Sequence, residues 1–341
     1  MDAPPPDLLD TFGLRPAGPA LAAFRRALLG SSGEPKTQFG LSSVRIFKPW
    51  IGLPTWLGVR PRDRLTPIYN LFNRAPQPRD EAYSVRVTHA RDFLGGQHTY
   101  DGHLGTDFAV PVGTPVAAAA PGLVLRVASE LDRGGLKVCI DHGDGLFTTS
   151  SHLSRARVAE GEVVARGTVV GLSGASGVEF ATMFPWVSPH LHFNTWLDSN
   201  PVDPFARQGE RSLWRAHNDP RPHDGSPTEP FEPTRWDAAL VDAAVAACRH
   251  AGLRREMEAI GDVSRRAAEL IVQRNYRAVL FSAFPPVYPR SHERAPRLDL
   301  PFSARDYDGA SLRGRRVGDQ ARTASSRISA ARSHAARSTS R

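Results

Sequence analysis

Read from the amino terminus, the hydrophobic pattern changes period several times. Residues 1–35 begin Pro-rich and carry one amphipathic patch, ALAAFRRALLG, where Leu21, Phe24 and Leu28 recur at helical spacing before Gly30. A short helix is expected there. To about residue 98 the chain is then rich in Pro, Arg and aromatics (Phe47, Trp50, Trp56, Tyr69, Phe72) and reads as irregular structure wrapping the next domain. From about Tyr100 short apolar runs alternate with Gly and Pro turn signals, the texture of a β-rich domain. LVLRV at 123–127, LKVCI at 136–140 and EVVARGTVVGLSG at 162–174 are the strand candidates. Leu136, Val138 and Ile140 alternate with Lys137, Cys139 and Asp141, and HGDG supplies a tight turn into LFTTSSHL. Repeated short strands with such turns predict a sandwich or barrel.

Helical spacing returns after a Pro/Asp/Arg stretch. WDAALVDAAVAACRHAG is expected to close at a C-capping Gly252, and Leu253, Met257, Ile260, Ala267 and Ile271 mark one face of a second helix. The chain therefore divides into an irregular segment with a short helix (1–98), a β domain (99–206), a linker (207–235), a helical hairpin (236–284), and a loop with a disordered Arg-rich tail (285–341). The expected class is α+β: a mainly β, antiparallel domain with an appended helical hairpin.

Charge changes this picture only at one end. The 341 residues carry a formal net charge of +8, and lysine occurs only at Lys36, Lys48 and Lys137 among 43 cationic residues. Residues 313–341 hold eight arginines against the single acid Asp319, a net +7, which leaves +1 for the other 312 residues. The basic pI thus describes a tail, expected to contact polyanions, and not a nucleic-acid-binding fold. Two cysteines, Cys139 and Cys248, without a CxxC pair exclude a disulfide framework and thiolate-held zinc. The first residues lack the basic and apolar regions of a secretory signal, and no apolar run is long enough to span a membrane.

Three histidine-bearing segments carry the candidate chemistry: GHLGTDF at 102–108, TTSSHLS at 148–154 and SPHLHF at 188–193. His103 and Asp107 lie four apart around Gly105, so an imidazole and a carboxylate can converge. On a strand, His190 and His192 share one face. A catalytic zinc takes three nitrogen or oxygen ligands and keeps one position open. His103, Asp107 and His192 supply such a set, leaving His190 and His152 for acid–base work. The helical HExxH signature is absent. His142 reads as a turn residue, and Cys139 and Cys248 as small apolar side chains.

The blocks HLGTDFAVPVGTPVAAAAPGLV, KVCIDHGDGLFTTSSHLS, VAEGEVVARGTVVGLSGASG and PHLHF with NPVDP behind it resemble, in order and spacing, the catalytic domain of the lysostaphin-like (LytM-type) zinc metallopeptidases, which cut peptidoglycan peptides. The resemblance covers about Tyr100 to Phe205. It implies a duplicated hybrid-motif, barrel-sandwich fold, Zn2+ bound by His103, Asp107 and His192, and catalytic roles for His190 and His152. It also implies a zinc-dependent endopeptidase acting on peptidoglycan stem or cross-bridge peptides, a substrate class that suggests the periplasm or cell envelope if the protein is exported, while the sequence itself leaves the localisation unknown. Three positions depart from the family pattern: Ser150 where Tyr is frequent, Asn194 where Glu is frequent, and the longer connection VEFATMFPWVS before PHLHF. That connection, whose Phe184 and Trp186 sit beside the site in sequence, is expected either to form a wall of the groove or to tuck its aromatics against the N-terminal segment. The alternative function is a non-catalytic module that binds cell wall or activates a hydrolase. A biotinyl or lipoyl carrier needs lysine at a hairpin tip, whereas Lys137 lies inside a strand candidate.

Overall fold

The computed structural model describes residues 6–30, 36–75, 81–324 and 326. The helices are α1 (Leu8–Thr11), α2 (Ala17–Leu29), α3 (Pro49–Trp56), α4 (Val178–Met183), α5 (Ala238–Ala246), α6 (Ala251–Glu258) and α7 (Val263–Tyr276), with a further helical stretch over 317–324. The strands are β1 (Leu65–Asn70), β2 (Thr106–Ala109), β3 (Pro115–Ala117), β4 (Gly122–Glu130), β5 (Gly135–Asp141) and β6 (Leu146–Ala156). They continue as β7 (Val163–Val164), β8 (Val169–Ser173), β9 (His190–Leu197), β10 (Asn200–Pro201), β11 (Gly309–Leu312) and β12 (Arg315–Arg316). They form one open sheet in the order β12-β11-β1-β2-β9-β6-β5-β4-β7, with β10 on β9 and β8 joining β3 to β6. Of the pairings between these strands among the described residues only β1–β11 is parallel. The whole is α+β with a mainly antiparallel β centre.

Alternation sorts side chains to the two faces of this sheet. On β2 and β9, Phe108, Leu191 and Phe193 enter the main core with Val124, Val138 and Ile140. Asp107 and His192, paired directly across the two strands, point the other way. Part of that second face is covered by α5–α7, where Cys139, Phe147 and Trp196 pack against Val241, Val245, Leu270 and Ile271. The end that these three helices leave free carries the histidines, which are buried by other parts of the chain.

Several expectations are corrected by long-range packing. The segment expected as irregular contains β1, which pairs with β2 through Ile68↔Phe108 and Asn70↔Asp107. The expected linker buries Leu213 and Trp214 in the main core. The expected hairpin is three helices: α5 stops before Cys248, and His250 caps α6 by accepting from the Leu253 amide, so Gly252 lies inside a helix and caps none. The chain past Pro285 is not merely loop, since Leu298, Leu300, Phe302, Tyr307, Ala310, Leu312 and Val317 are core residues. Apolar residues spread without a period could not announce this role. Phe302→Ala is expected to cost about 3–5 kcal/mol, read as a lower urea midpoint, because its ring is buried against Phe108 and Tyr307.

The polyanion contact expected of the tail falls largely on residues 325 and 327–341, outside the described residues. In the described part, Arg316 donates to Asp219 Oδ1 at 3.2 Å and to the Asp308 carbonyl at 3.3 Å. That arginine serves the fold. No helix among the described residues is long and apolar enough to cross a membrane.

Candidate metal centre

β9 and β2 bring His192 and Asp107 side by side, and the loop before β2 folds His103 onto them. His192 Nδ1 lies 2.7 Å from Asp107 Oδ1, His103 Nε2 lies 3.0 Å from the same oxygen, and the two ring nitrogens are 3.2 Å apart. His103 Nδ1 donates to the Leu71 carbonyl at 2.7 Å, so Nε2 turns a lone pair inward. The other carboxylate oxygen, Oδ2, accepts from Asn70 Nδ2 at 2.8 Å. Gly105 leaves the room the His192 ring needs: a Cβ there would stand 2.7 Å from Cε1 and 2.8 Å from Nε2.

These three atoms fit a zinc ion. Bonds of about 2.0–2.1 Å at tetrahedral angles separate ligand atoms by roughly 3.3 Å. The observed 2.7–3.2 Å requires only a small expansion. The donor set of two imidazole nitrogens and one carboxylate is a known zinc chemistry, and the outward nitrogen of His103 is already held by a carbonyl, as metal-binding imidazoles usually are.

His190 and His152 complete the floor of the same cleft. His190 Nδ1 donates to the Ser188 carbonyl at 2.7 Å, leaving Nε2 directed inward, 3.6 Å from Asp107 Oδ1. His152 reaches the site by a bulge. Between the pairs Leu136↔Leu153 and Val138↔Ser150, β6 uses one more residue than β5, and His152 adopts φ +64°. Its Nδ1 donates to the Ser176 carbonyl at 2.8 Å, and its ring centroid lies 4.8 Å from that of His190. The same register puts Ser150 opposite Phe193, on the core side of the sheet. The departure at 150 therefore removes nothing from the histidine face. Asn194 Nδ2 donates to the Leu104 carbonyl at 2.7 Å and ties β9 to the loop bearing His103.

Burial and mutual repulsion govern the charges. His103, Asp107, His152, His190 and His192 are each no more than 7% exposed. Burial alone would raise the Asp107 carboxyl, but the facing His103 and His190 and its hydrogen bonds hold it well below the usual carboxylate range. Burial lowers His190 and His192. His152 is held well below the usual imidazole range, first by burial and then by His190 and His192.

Other residues in the cleft had no motif to reveal them. Glu179 on α4 places Oε1 3.1 Å from His152 Nε2, and burial pushes its carboxyl up to about 7. Tyr69 stacks on His190 with centroids 5.7 Å apart. The cleft, about 180 Å³, is walled by Tyr83 and Tyr100, by Val178 and Met183 of α4, and by Tyr276 at the end of α7. A neighbouring cavity of about 290 Å³ shares Tyr83, Tyr276 and Val279. The long connection thus serves both expected roles. Its helix lines the cleft, while Phe184 tucks against Trp56 and Phe12 of the N-terminal segment. Trp186 remains half exposed. His142 is spent on the Pro121 carbonyl and the Thr148 hydroxyl, both at 2.8 Å.

Comparison with known proteins places the same stretch in a family. Residues 101–204 match the family model described as peptidase family M23. The chain is 38% identical over 101 residues to the peptidoglycan DD-endopeptidase ShyA of Vibrio cholerae, covering 30% of this chain and 22% of that protein. It is 36% identical over 104 residues to an uncharacterized metalloprotease of Haemophilus influenzae, covering 30% and 20%. Lysostaphin of Staphylococcus staphylolyticus is 33% identical over 108 residues, covering 30% and 21%. The chain thus spans only about a fifth of the length of these relatives. The solved catalytic domain of lysostaphin from Staphylococcus simulans is 31% identical, with a TM-score of 0.26, covering 30% of this chain and 75% of that one. Residues 101–204 of this chain are a peptidase family M23 domain.

Proposed function

We propose that the chain is a zinc-dependent endopeptidase that hydrolyses peptide bonds in the stem or cross-bridge peptides of peptidoglycan. The observation that carries this reading is the convergence of His103 Nε2, Asp107 Oδ1 and His192 Nδ1 within 3.2 Å of one another, beside two further histidines in one cleft. The name of the Vibrio relative, a peptidoglycan DD-endopeptidase, supports the substrate class, which would place the activity in the cell envelope.

His103, Asp107 and His192 would hold the ion. When bound, zinc supplies Lewis-acid polarisation of the scissile carbonyl and acidifies water. His190 presents an unprotonated Nε2 to the site and takes the proton of the attacking water. His152, fixed through Nδ1 by the Ser176 carbonyl, receives on Nε2 the proton that His190 took and returns it to the leaving amine. Glu179 faces that nitrogen at 3.1 Å and shares the proton with it. The low solvent exposure of the floor strengthens each of these electrostatic contacts.

Elemental analysis of reconstituted protein is expected to find one zinc per chain; absence of bound zinc would refute the reading. Gly105→Ala should weaken zinc binding, because the new methyl displaces the His192 ring. A competition titration against a chromophoric chelator measures this, and an unchanged dissociation constant would show that the ring has room to spare.

A further inference from the structure

We propose that Lys48 is a positioning residue for the metal centre, acting on Asp107 through the amide of Asn70 and on His190 through Tyr69. The inference rests on the zinc reading above and extends it to residues outside the M23 domain. Lys48 stands immediately before α3, and its Nζ donates to the Tyr69 carbonyl and, at 3.0 Å, to Asn70 Oδ1. The same ammonium lies 4.6 Å from the centroid of the Tyr69 ring. Tyr69 stacks on His190, and Asn70 Nδ2 donates to Asp107 Oδ2 at 2.8 Å.

This chain of contacts has a definite direction. An amide has an oxygen end and an NH2 end, and facing the wrong end to a carboxylate sets oxygen against oxygen. The ammonium of Lys48 claims the oxygen of Asn70, so the NH2 is left for Asp107. Asp107 Oδ2 is then occupied, and Oδ1 is the oxygen presented to His103 and His192. Outer contacts of this kind orient a metal ligand and raise the affinity of its site.

The choice of lysine is itself informative. Only three of 43 cationic residues are lysine, so a chain that otherwise uses arginine has placed a compact ammonium here. A planar guanidinium is broader and presents a fork of donors in place of a point charge. The local sequence offers no family motif at 48 or 70, since the family match begins at residue 101.

The test uses the full chain and two variants. Lys48→Met removes the ammonium at similar length. Asn70→Asp is nearly isosteric and keeps an acceptor for Lys48, but turns a second carboxylate oxygen on Asp107. Zinc dissociation constants are measured by chelator competition, with melting temperatures of the metal-free proteins alongside. Both variants should bind zinc about 10–100-fold more weakly, with metal-free melting temperatures close to wild type, a split that mere space-filling would not give. Dissociation constants within about twofold of wild type in Asn70→Asp would overturn the proposal, even if Lys48→Met failed to fold. A wild-type chain that binds no zinc would overturn the zinc reading itself and this inference with it.

Discussion

Asp107→Ala and His103→Ala are expected to abolish zinc binding and hydrolysis together while leaving the fold intact. Asp107 Oδ1 is the atom that both imidazole nitrogens approach, at 2.7 and 3.0 Å. Without it, two buried imidazoles remain, a weaker and incomplete ligand set. The loss should exceed the roughly 10–100-fold typical when only an outer contact to a metal ligand is removed. The fold should survive because Asp107 and the core residues Phe108, Leu191 and Phe193 occupy opposite faces of β2 and β9. A ligand that binds only the native state raises its stability. Zinc should therefore raise the melting temperature of the wild type and leave that of Asp107→Ala unchanged. A variant that keeps one zinc per chain would remove Asp107 from the ligand set.

The second large effect separates chemistry from metal binding. His190→Ala and His152→Ala should retain zinc yet lose on the order of 10²–10⁴ in kcat, the contribution of a positioned acid or base. Each imidazole has its Nδ1 committed to a carbonyl, Ser188 for His190 and Ser176 for His152, which leaves Nε2 as the working atom. Burial lowers both groups, so each is available as the neutral imidazole near neutral pH. Because the two rings lie 4.8 Å apart and serve one proton path, the double variant should fall little below the worse single one. Zinc content and kcat measured on the same preparations decide this. If either variant loses its zinc in parallel with activity, that histidine belongs with the ligands.

Much of this centre could be read from the chain because it is local. HxxxD and HxH place His103 with Asp107 and His190 with His192 through turn and strand geometry alone, and the structure brings these four and His152 into one cleft. The strand candidates between 123 and 174 are also local, and appear as β4, β5, β7 and β8. What could not be read depends on distant parts meeting. The bulge that aims His152 is a mismatch between β5 and β6, invisible in either strand by itself. Asn70 reaches Asp107 because β1 pairs with β2 across a long excursion, and the Pro-rich texture around it concealed a strand. Leu298, Leu300 and Phe302 enter the main core from a segment with no period. Glu179 sits in the long connection singled out before β9, but nothing in its spacing says that it meets His152. The rarity of lysine was visible from composition, and its meaning at 48 needed the fold.

The most direct measurement is mass spectrometry of defined peptidoglycan fragments incubated with the full chain, with and without a chelator. The account predicts peptides split at one type of amide, each cleavage adding one water and exposing a new amino and carboxyl terminus. It also predicts loss of cleavage on chelation and its return with added zinc. Fragments recovered intact after incubation with the zinc-loaded chain, or cleavage that continues after the metal is removed, would contradict it.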